Sequence, residues 1–288
     1  MPGLTEQEKA ALKHRYHNAY SQANYIGNMM LKDAFVHGGG ILLTIIIIIA
    51  LIMCSANAET TVKAGDVITL GNYQQKAETF YGLPLSPEPI EWIVLETAEN
   101  YALVISKYGL DAQPYNTAYT DVTWETCTLR TWLNNYFLNT AFTTDEQKAI
   151  MTATVDNSES QCFDFNTVTD VNKTTGGNNT QDKIFLLSYE EANKYFGVEW
   201  YENDGAKDNV NARVQPTAYA IAQGAYTKDD CTTVNGVAAG EWWLRSPGYY
   251  QNRATRVYYD GSIFSLDVNF THSCVRPALV LDLSLLNL

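Results

Sequence analysis

The feature that most constrains this chain is Ile41 to Cys54, ILLTIIIIIALIMC, which holds one polar side chain, Thr44, and no charge. Widened to Gly38–Ala58, the uncharged stretch is 21 residues long. At about 1.5 Å per helical residue it nearly matches a hydrocarbon core of about 30 Å. Isoleucine and leucine each gain roughly 0.3–0.6 kcal/mol at mid-membrane, so a hydrophobic helix in a bilayer is expected here rather than a core element of a soluble domain. The chain is thereby divided into a polar helical segment at 1–37, a signal peptide or transmembrane anchor at 38–58, and a domain at 59–288. Ala56-Asn57-Ala58 reads as an A-x-A cleavage site. A start at Met29 or Met30 makes an ordinary signal peptide of the run, and a start at Met1 makes it a signal anchor.

Charge sets the orientation. Residues 1–58 hold Lys9, Lys13, Arg15 and Lys32 against Glu6, Glu8 and Asp33, so of the net −13, residues 59–288 carry −14. Basic residues ahead of an apolar run keep the N-terminus inside. The acidic domain is then expected outside the membrane, anchored or secreted. So acidic a surface repels phosphate backbones, which excludes nucleic acid as a partner; its general effect is solubility. Residues 5–25 read as a weakly amphipathic polar helix, with His14 and His17 solvated.

Past the apolar run the periodicity is mixed. Strands are predicted around Val67–Leu70, at Glu91–Leu95 and at Tyr101–Ser106, the last two as a hairpin. Leu129, Trp132, Leu133, Tyr136 and Phe137 follow the spacing of an amphipathic helix. Thr143 with Glu146, and Ser188 with Glu191, form capping boxes that open two more helices, at 145–153 and 189–196. Residues 155–182 and 197–213 are long polar loops, Lys183–Leu187 is a buried strand, and 216–223 a short helix. The end is strand-like: Glu241–Arg245, Ala254–Tyr259, Ser262–Val268 and Val275–Leu283, with Asp260-Gly261 as a two-residue hairpin turn. This order is not a β-α alternation. It predicts an α+β domain, an antiparallel sheet with flanking helices and long loops.

The four cysteines of the domain, Cys127, Cys162, Cys231 and Cys274, have no CxxC spacing, which argues against a zinc ribbon or redox motif. They allow three disulfide pairings or free thiols. No HExxH, no Ser/His/Asp order and no phosphate-cradling glycine loop is present. No cofactor, metal or catalytic residue is expected. Asn203, Asp204 and Asp208 supply oxygens for calcium, but not at EF-hand spacing.

Residues 249–274, YYQNRATRVYYDGSIFSLDVNFTHSC, differ in palette from the rest. Lys, Glu, Met and Trp are absent and Gln occurs once, and these are the five types that codons ending in C or T cannot encode. Tyrosine and phenylalanine give large contact area at low rotamer cost, and Asn, Ser and Thr give adaptable hydrogen bonds, a composition of binding surfaces. Side chains alternate across a strand. Ala254, Val257, Ile263, Leu266 and Val268 are therefore placed toward the core, although Val257 breaks the alternation from Ala254.

The flanks carry a resemblance. EWWLRSPG at 241–248 and VRPALVLDL at 275–283 bracket the segment. Upstream stand GDVITLGNYQQ, PIEWIVLE, ALVISKYGLDAQPYN, VTWETCTLRTWLNNYFLNTAF and DKIFLLSYEEANKYF. Together these resemble a bacterial and phage domain family covering nearly all of 64–283, some members of which look like target proteins of diversity-generating retroelements. The resemblance implies a C-type-lectin-like fold, similar to that of formylglycine-generating enzymes. It implies an extracytoplasmic display protein that binds a protein or glycan ligand. The displayed, changeable contacts would be Tyr249, Tyr250, Asn252, Arg253, Thr255, Arg256, Tyr258, Tyr259, Ser262, Phe264, Ser265, Asp267, Asn269, Thr271 and His272. Trp242, Trp243, Arg245, Gly261, Arg276 and Pro277 would be scaffold. Cys274 departs from the family pattern, which has glycine before VRPAL, and puts the local turn in question. A structural envelope or phage-associated protein of the same fold, or an enzyme related to formylglycine-generating enzymes through Cys231 and Cys274, are the alternatives.

Overall fold

The computed structural model describes residues 62–77, 79–80, 83–84, 86–163, 174–200, 208–233 and 235–286. The expected helices at 5–25 and 38–58 lie outside these residues. No helix among the described residues is long and apolar enough to cross a membrane.

Alternating apolar side chains build a first sheet from β1 (Val67–Tyr73), β4 (Glu88–Ala98) and β5 (Tyr101–Ser106), with a short ladder of β2 (Thr79–Phe80) and β3 (Leu83–Pro84) between β1 and β4 in sequence. In β4, Ile90, Trp92 and Val94 are buried, and the Trp92 indole donates to the Leu70 carbonyl at 2.8 Å. The predicted β4–β5 hairpin forms across Glu99-Asn100, pairing Ala98 with Tyr101. A bulge in β1 at Gly71, φ +71°, lets the strand pass the helix that follows: an added Cβ would lie 2.6 Å from the Ala141 carbonyl oxygen.

The second sheet has the order β13-β12-β11-β14-β6, from β6 (Asp111–Ala112), β11 (Trp242–Pro247), β12 (Arg253–Val257), β13 (Ile263–Asp267) and β14 (Cys274–Val275). Its pairs are antiparallel except β11–β14. The predicted single strand at Val275–Leu283 is divided between the two sheets. β14 ends at Val275, and β15 (Ala278–Asp282) joins β5 at the edge of the first sheet. Arg276 and Pro277 make the crossing, where proline has no N–H to offer either ladder. The smaller ladders pair β7 (Ala153–Val155) with β8 (Thr180–Asp182) and β9 (Thr227–Thr232) with β10 (Ala238–Gly240).

The helices lie between strands as predicted. α1 (Thr128–Trp132), a π-helical turn at Leu133–Phe137 and α2 (Leu138–Ala141) form one run that buries Leu129, Leu133, Phe137 and Leu138 while Tyr136 stays exposed. Its N-cap is Cys127, whose Sγ accepts from Arg130 N. The capping box of α3 (Glu146–Ala149) is made by Thr143 and Glu146. That of α4 (Tyr189–Phe196) is made by Ser188 and Glu191. α5 (Ala218–Ala222) falls within the predicted 216–223. One apolar core joins both sheets and these helices. The architecture is α+β with mainly antiparallel sheets.

Three further expectations are corrected. The helix expected at 145–153 stops at Ala149, and Ala153 opens β7. Ile184 to Leu187 are buried but form no strand; only Phe185 bridges Ala278. The Asn134 amide takes the place of a strand partner, accepting from Lys183 N and Ile184 N and donating to the Ile184 carbonyl, so these buried backbone groups are satisfied without a ladder. The β12–β13 turn is five residues, Tyr258–Ser262, not two. Tyr258 N donates to the Ser262 carbonyl and Gly261 N to that of Tyr258. Gly261, φ +88°, sits where an added Cβ would be 2.0 Å from the Asn209 carbonyl oxygen, so only glycine fits.

Candidate binding surface

The β12–β13 hairpin decides which predicted contacts reach solvent. Its register pairs Arg253 with Asp267, Thr255 with Ser265, Arg256 with Phe264 and Val257 with Ile263. By alternation, Thr255 and Ser265 share a face with Val257 and Ile263, all buried. The Thr255 hydroxyl is satisfied within, donating to the Ser246 carbonyl at 2.9 Å. Ala254 and Val257, both placed toward the core, are both buried, because β12 is covered on its two faces from Ala254 to Val257.

Arg256 and Phe264 share the opposite face with different outcomes. Phe264 is 41% exposed, whereas Arg256 is buried at 6%. Arg256 forms an ion pair with buried Glu241 and lies 4.9 Å under the Tyr258 ring. Burial pushes its guanidinium down to about 10, which leaves it a cation at neutral pH. Ser262 is also buried, its N–H and hydroxyl both donating to Asp260 Oδ1. Three of the proposed contacts, Thr255, Arg256 and Ser265, therefore support the surface from beneath rather than form it, and Ser262, though buried, reaches the pocket floor.

The others reach solvent to different degrees. Tyr250, Asn269, Thr271 and His272 are exposed like Phe264. Tyr249, Asn252, Arg253, Tyr258, Tyr259 and Asp267 are half-buried. Arg253 Nε donates to Asp267 Oδ1 at 2.8 Å, a cross-strand pair.

Aromatic rings link these positions into a belt. Phe264 stacks on Trp200 at 6.2 Å with planes 15° apart, and Trp200 stacks on Phe163 at 4.8 Å. Trp200 also meets Tyr249, which meets Tyr250. From Phe264 the belt runs to Tyr258 at 6.3 Å, to Tyr259 and to Tyr226. At its centre an open pocket of about 300 Å³ is lined by Tyr258, Tyr259, Asp260, Ser262 and Phe264. All five lie within 249–274.

Phe163, Trp200 and Tyr226 come from outside the varied segment and were not singled out in the sequence. Trp200 reaches the belt because Glu199 and Trp200 run beside β13: Ile263 N donates to the Glu199 carbonyl at 2.8 Å. A tryptophan in an otherwise polar loop was the available signal.

The flanking residues are buried as a scaffold. Trp242, Trp243, Arg245, Gly261, Arg276 and Pro277 are all buried. The Arg245 guanidinium pairs with Glu191 and donates to the Leu186 and Asp156 carbonyls, tying α4 to β11. Arg276 lies 4.8 Å from the Trp242 ring and 5.0 Å from the Phe196 ring, and its Nε donates to the Ser106 carbonyl. Cys274 is accommodated without a turn: its Sγ lies 2.8 Å from where a Cβ on Gly109 would be and 3.2 Å from that of Gly240. The four cysteines are free thiols. Burial pushes Cys127 and Cys274 up to about 12 and Cys162 to about 11. Among the described residues no group of three His, Cys, Asp or Glu side chains is placed to hold a metal. Asn203 and Asp204 lie outside the described residues, and Asp208 pairs with Arg213.

No curated protein and no solved structure matches the chain. The family model described as "Domain of unknown function (DUF6273)" matches residues 99–283. Since that span is more than half of the 288 residues and runs from the β4–β5 turn through β15, the chain belongs to the DUF6273 family of domains of unknown function.

Proposed function

We propose that this protein is an extracytoplasmic, non-catalytic binding protein that meets its ligand through the aromatic belt on β12, β13 and the turn between them. The observation that carries the reading is the pocket whose entire lining comes from residues 249–274. Rings there are held half-exposed by neighbouring rings and by a buried ion pair, so they offer area to a ligand with little left to order on binding. The high thiol pKa of Cys274 argues against cysteine chemistry. Part of the same proposal are a C-type-lectin-like fold, residues 38–58 as signal peptide or anchor, and the N-terminus inside.

The split within 249–274 suits a target protein of a diversity-generating retroelement: the outward rings are free to vary and the buried Thr255, Arg256 and Ser265 are not. Sequencing the flanking DNA tests this. A near-repeat of the segment differing at adenines, beside a reverse transcriptase, is expected; absence of both removes the diversification reading. Display is tested by protease treatment of intact cells, which should cleave within 59–288; full protection that is lost on lysis would rule it out. The contact surface is tested with Tyr250→Ala/Tyr258→Ala/Phe264→Ala against protein and glycan arrays. If a ligand of the native chain is held equally by the folded triple variant, the surface lies elsewhere.

A further inference from the structure

The charges around the pocket are unevenly balanced. Arg256 pairs with Glu241, Arg253 with Asp267 and Lys228 with Asp230. Asp260 lines the pocket and has no cationic partner among the described residues. Its Oδ1 accepts from the Ser262 N–H and hydroxyl, which fixes the carboxylate in place and leaves Oδ2 for a ligand. Around it stand Tyr258, Tyr259 and Phe264. Two of these rings already hold cations of the protein itself: Arg256 is 4.9 Å from the Tyr258 centroid and Lys228 5.9 Å from that of Tyr259. Resting on the binding role proposed above, we infer that the pocket takes a quaternary ammonium group. Aromatic faces attract such a cation through their quadrupoles. A carboxylate with no cationic partner among the described residues adds Coulomb attraction, and the −14 charge of residues 59–288 steers cations toward the domain. A quaternary nitrogen has no N–H, so it loses no hydrogen bonds on entering a pocket where three of the five lining residues present rings. A volume of about 300 Å³ is at the small end of ligand sites and suits such a headgroup better than an oligosaccharide.

The test is equilibrium dialysis of labelled choline against the full chain, in a sugar-free non-ionic detergent. The competitors are 3,3-dimethylbutan-1-ol, which has the same shape without the charge, and methyl glucoside. Saturable choline binding is expected, with the neutral isostere at least about tenfold weaker and the sugar inert. Asp260→Asn, which keeps the oxygen that caps the turn, should weaken choline about tenfold; Phe264→Ala should weaken it too, both with near-ultraviolet circular dichroism unchanged. Absence of saturable binding, equal competition by the isostere, displacement by the sugar, or native affinity in Asp260→Asn overturns the inference. If choline fails while the triple ring variant loses an array ligand, this inference falls and the proposed binding surface stands.

Discussion

The two sheets use their outward faces differently. On the first sheet, outward charges sit at the solvent: Lys107, just past the end of β5, pairs with Glu91 of β4, both side chains about one third exposed. On the second, the Arg256 and Glu241 side chains are 8% and 4% exposed, and Arg256 lies against the Tyr258 ring. A surface ion pair contributes little and constrains little. A buried one is costly to desolvate and no more stabilising than packed hydrocarbon, so it is poor material for stability alone. What it does here is fix position: Arg256 holds the Tyr258 ring from below while Phe264, its cross-strand neighbour, stays out. The first sheet keeps its charges at the solvent, and the second keeps a charge pair buried beside the proposed binding surface.

The sharpest way to break this contrast is to remove one partner of the buried pair. Arg256→Ala should destabilise by about 3–5 kcal/mol, because it leaves Glu241 charged and buried. Arg256→Met with Glu241→Leu should recover most of that loss yet not the ligand affinity, if the pair positions the rings. Denaturant unfolding of the full chain, read beside binding, separates the two. Recovery of affinity in the apolar double variant would show that the pair has no positioning role.

Truncating the rings should do the reverse. Phe264→Ala removes a side chain that is 41% exposed, so stability should change by only about 0.5–1 kcal/mol. Binding should fall by about 2 kcal/mol or more if the ring anchors the ligand. A loss of stability that equals the loss of binding would make Phe264 a packing residue.

Much of this contrast was legible in the sequence, and the reason it was incomplete is physical. Capping boxes at Thr143 and Ser188, the β4–β5 hairpin and α4 are local devices, and each appears where its residues predict. The division of residues 274–282 between two sheets depends on partners far away in sequence, Ala112 for Cys274 and Ile105 for Ala278, and no local period encodes it. Within the site, the palette pointed to residues 249–274. It did not separate Thr255 and Ser265 from Tyr258 and Phe264, because β12 is covered on both faces and so loses the alternation that marks a half-solvated strand. Trp200 entered the belt from a loop, by a contact no periodicity announces.

A smaller effect distinguishes buried charge at the other edge of the second sheet. Asp111 is 2% exposed on β6 and accepts from the Tyr73 hydroxyl at 2.5 Å. Burial outweighs its hydrogen bonds and raises its pKa above the ordinary carboxylate value. The folded protein then binds this proton more tightly than the unfolded chain. The contribution to stability is therefore full below the unfolded-state pKa and is lost as pH rises through the folded value. Asp111→Asn should flatten that part of the stability profile from the ordinary aspartate range upward. An unchanged slope would mean that the hydrogen bonds from Tyr73, Ala112 and Gln113 offset the burial.

The smallest expected effect makes the comparison quantitative. A double-mutant cycle on Lys107 and Glu91, each changed to Ala, should give a coupling of at most about 1 kcal/mol, and 1 M salt should reduce it, since the Debye length there is about 3 Å. The same cycle on Arg256 and Glu241 should give a larger coupling that salt barely alters, because water and ions do not reach between the groups. The ratio of the two couplings and their salt responses test whether the sheets differ in kind. Equal couplings with equal screening would mean that the rings over Arg256 admit solvent. In that case the second sheet's outer face would be as solvated as the first's, and the pocket would lose the rigid floor on which its proposed binding role depends.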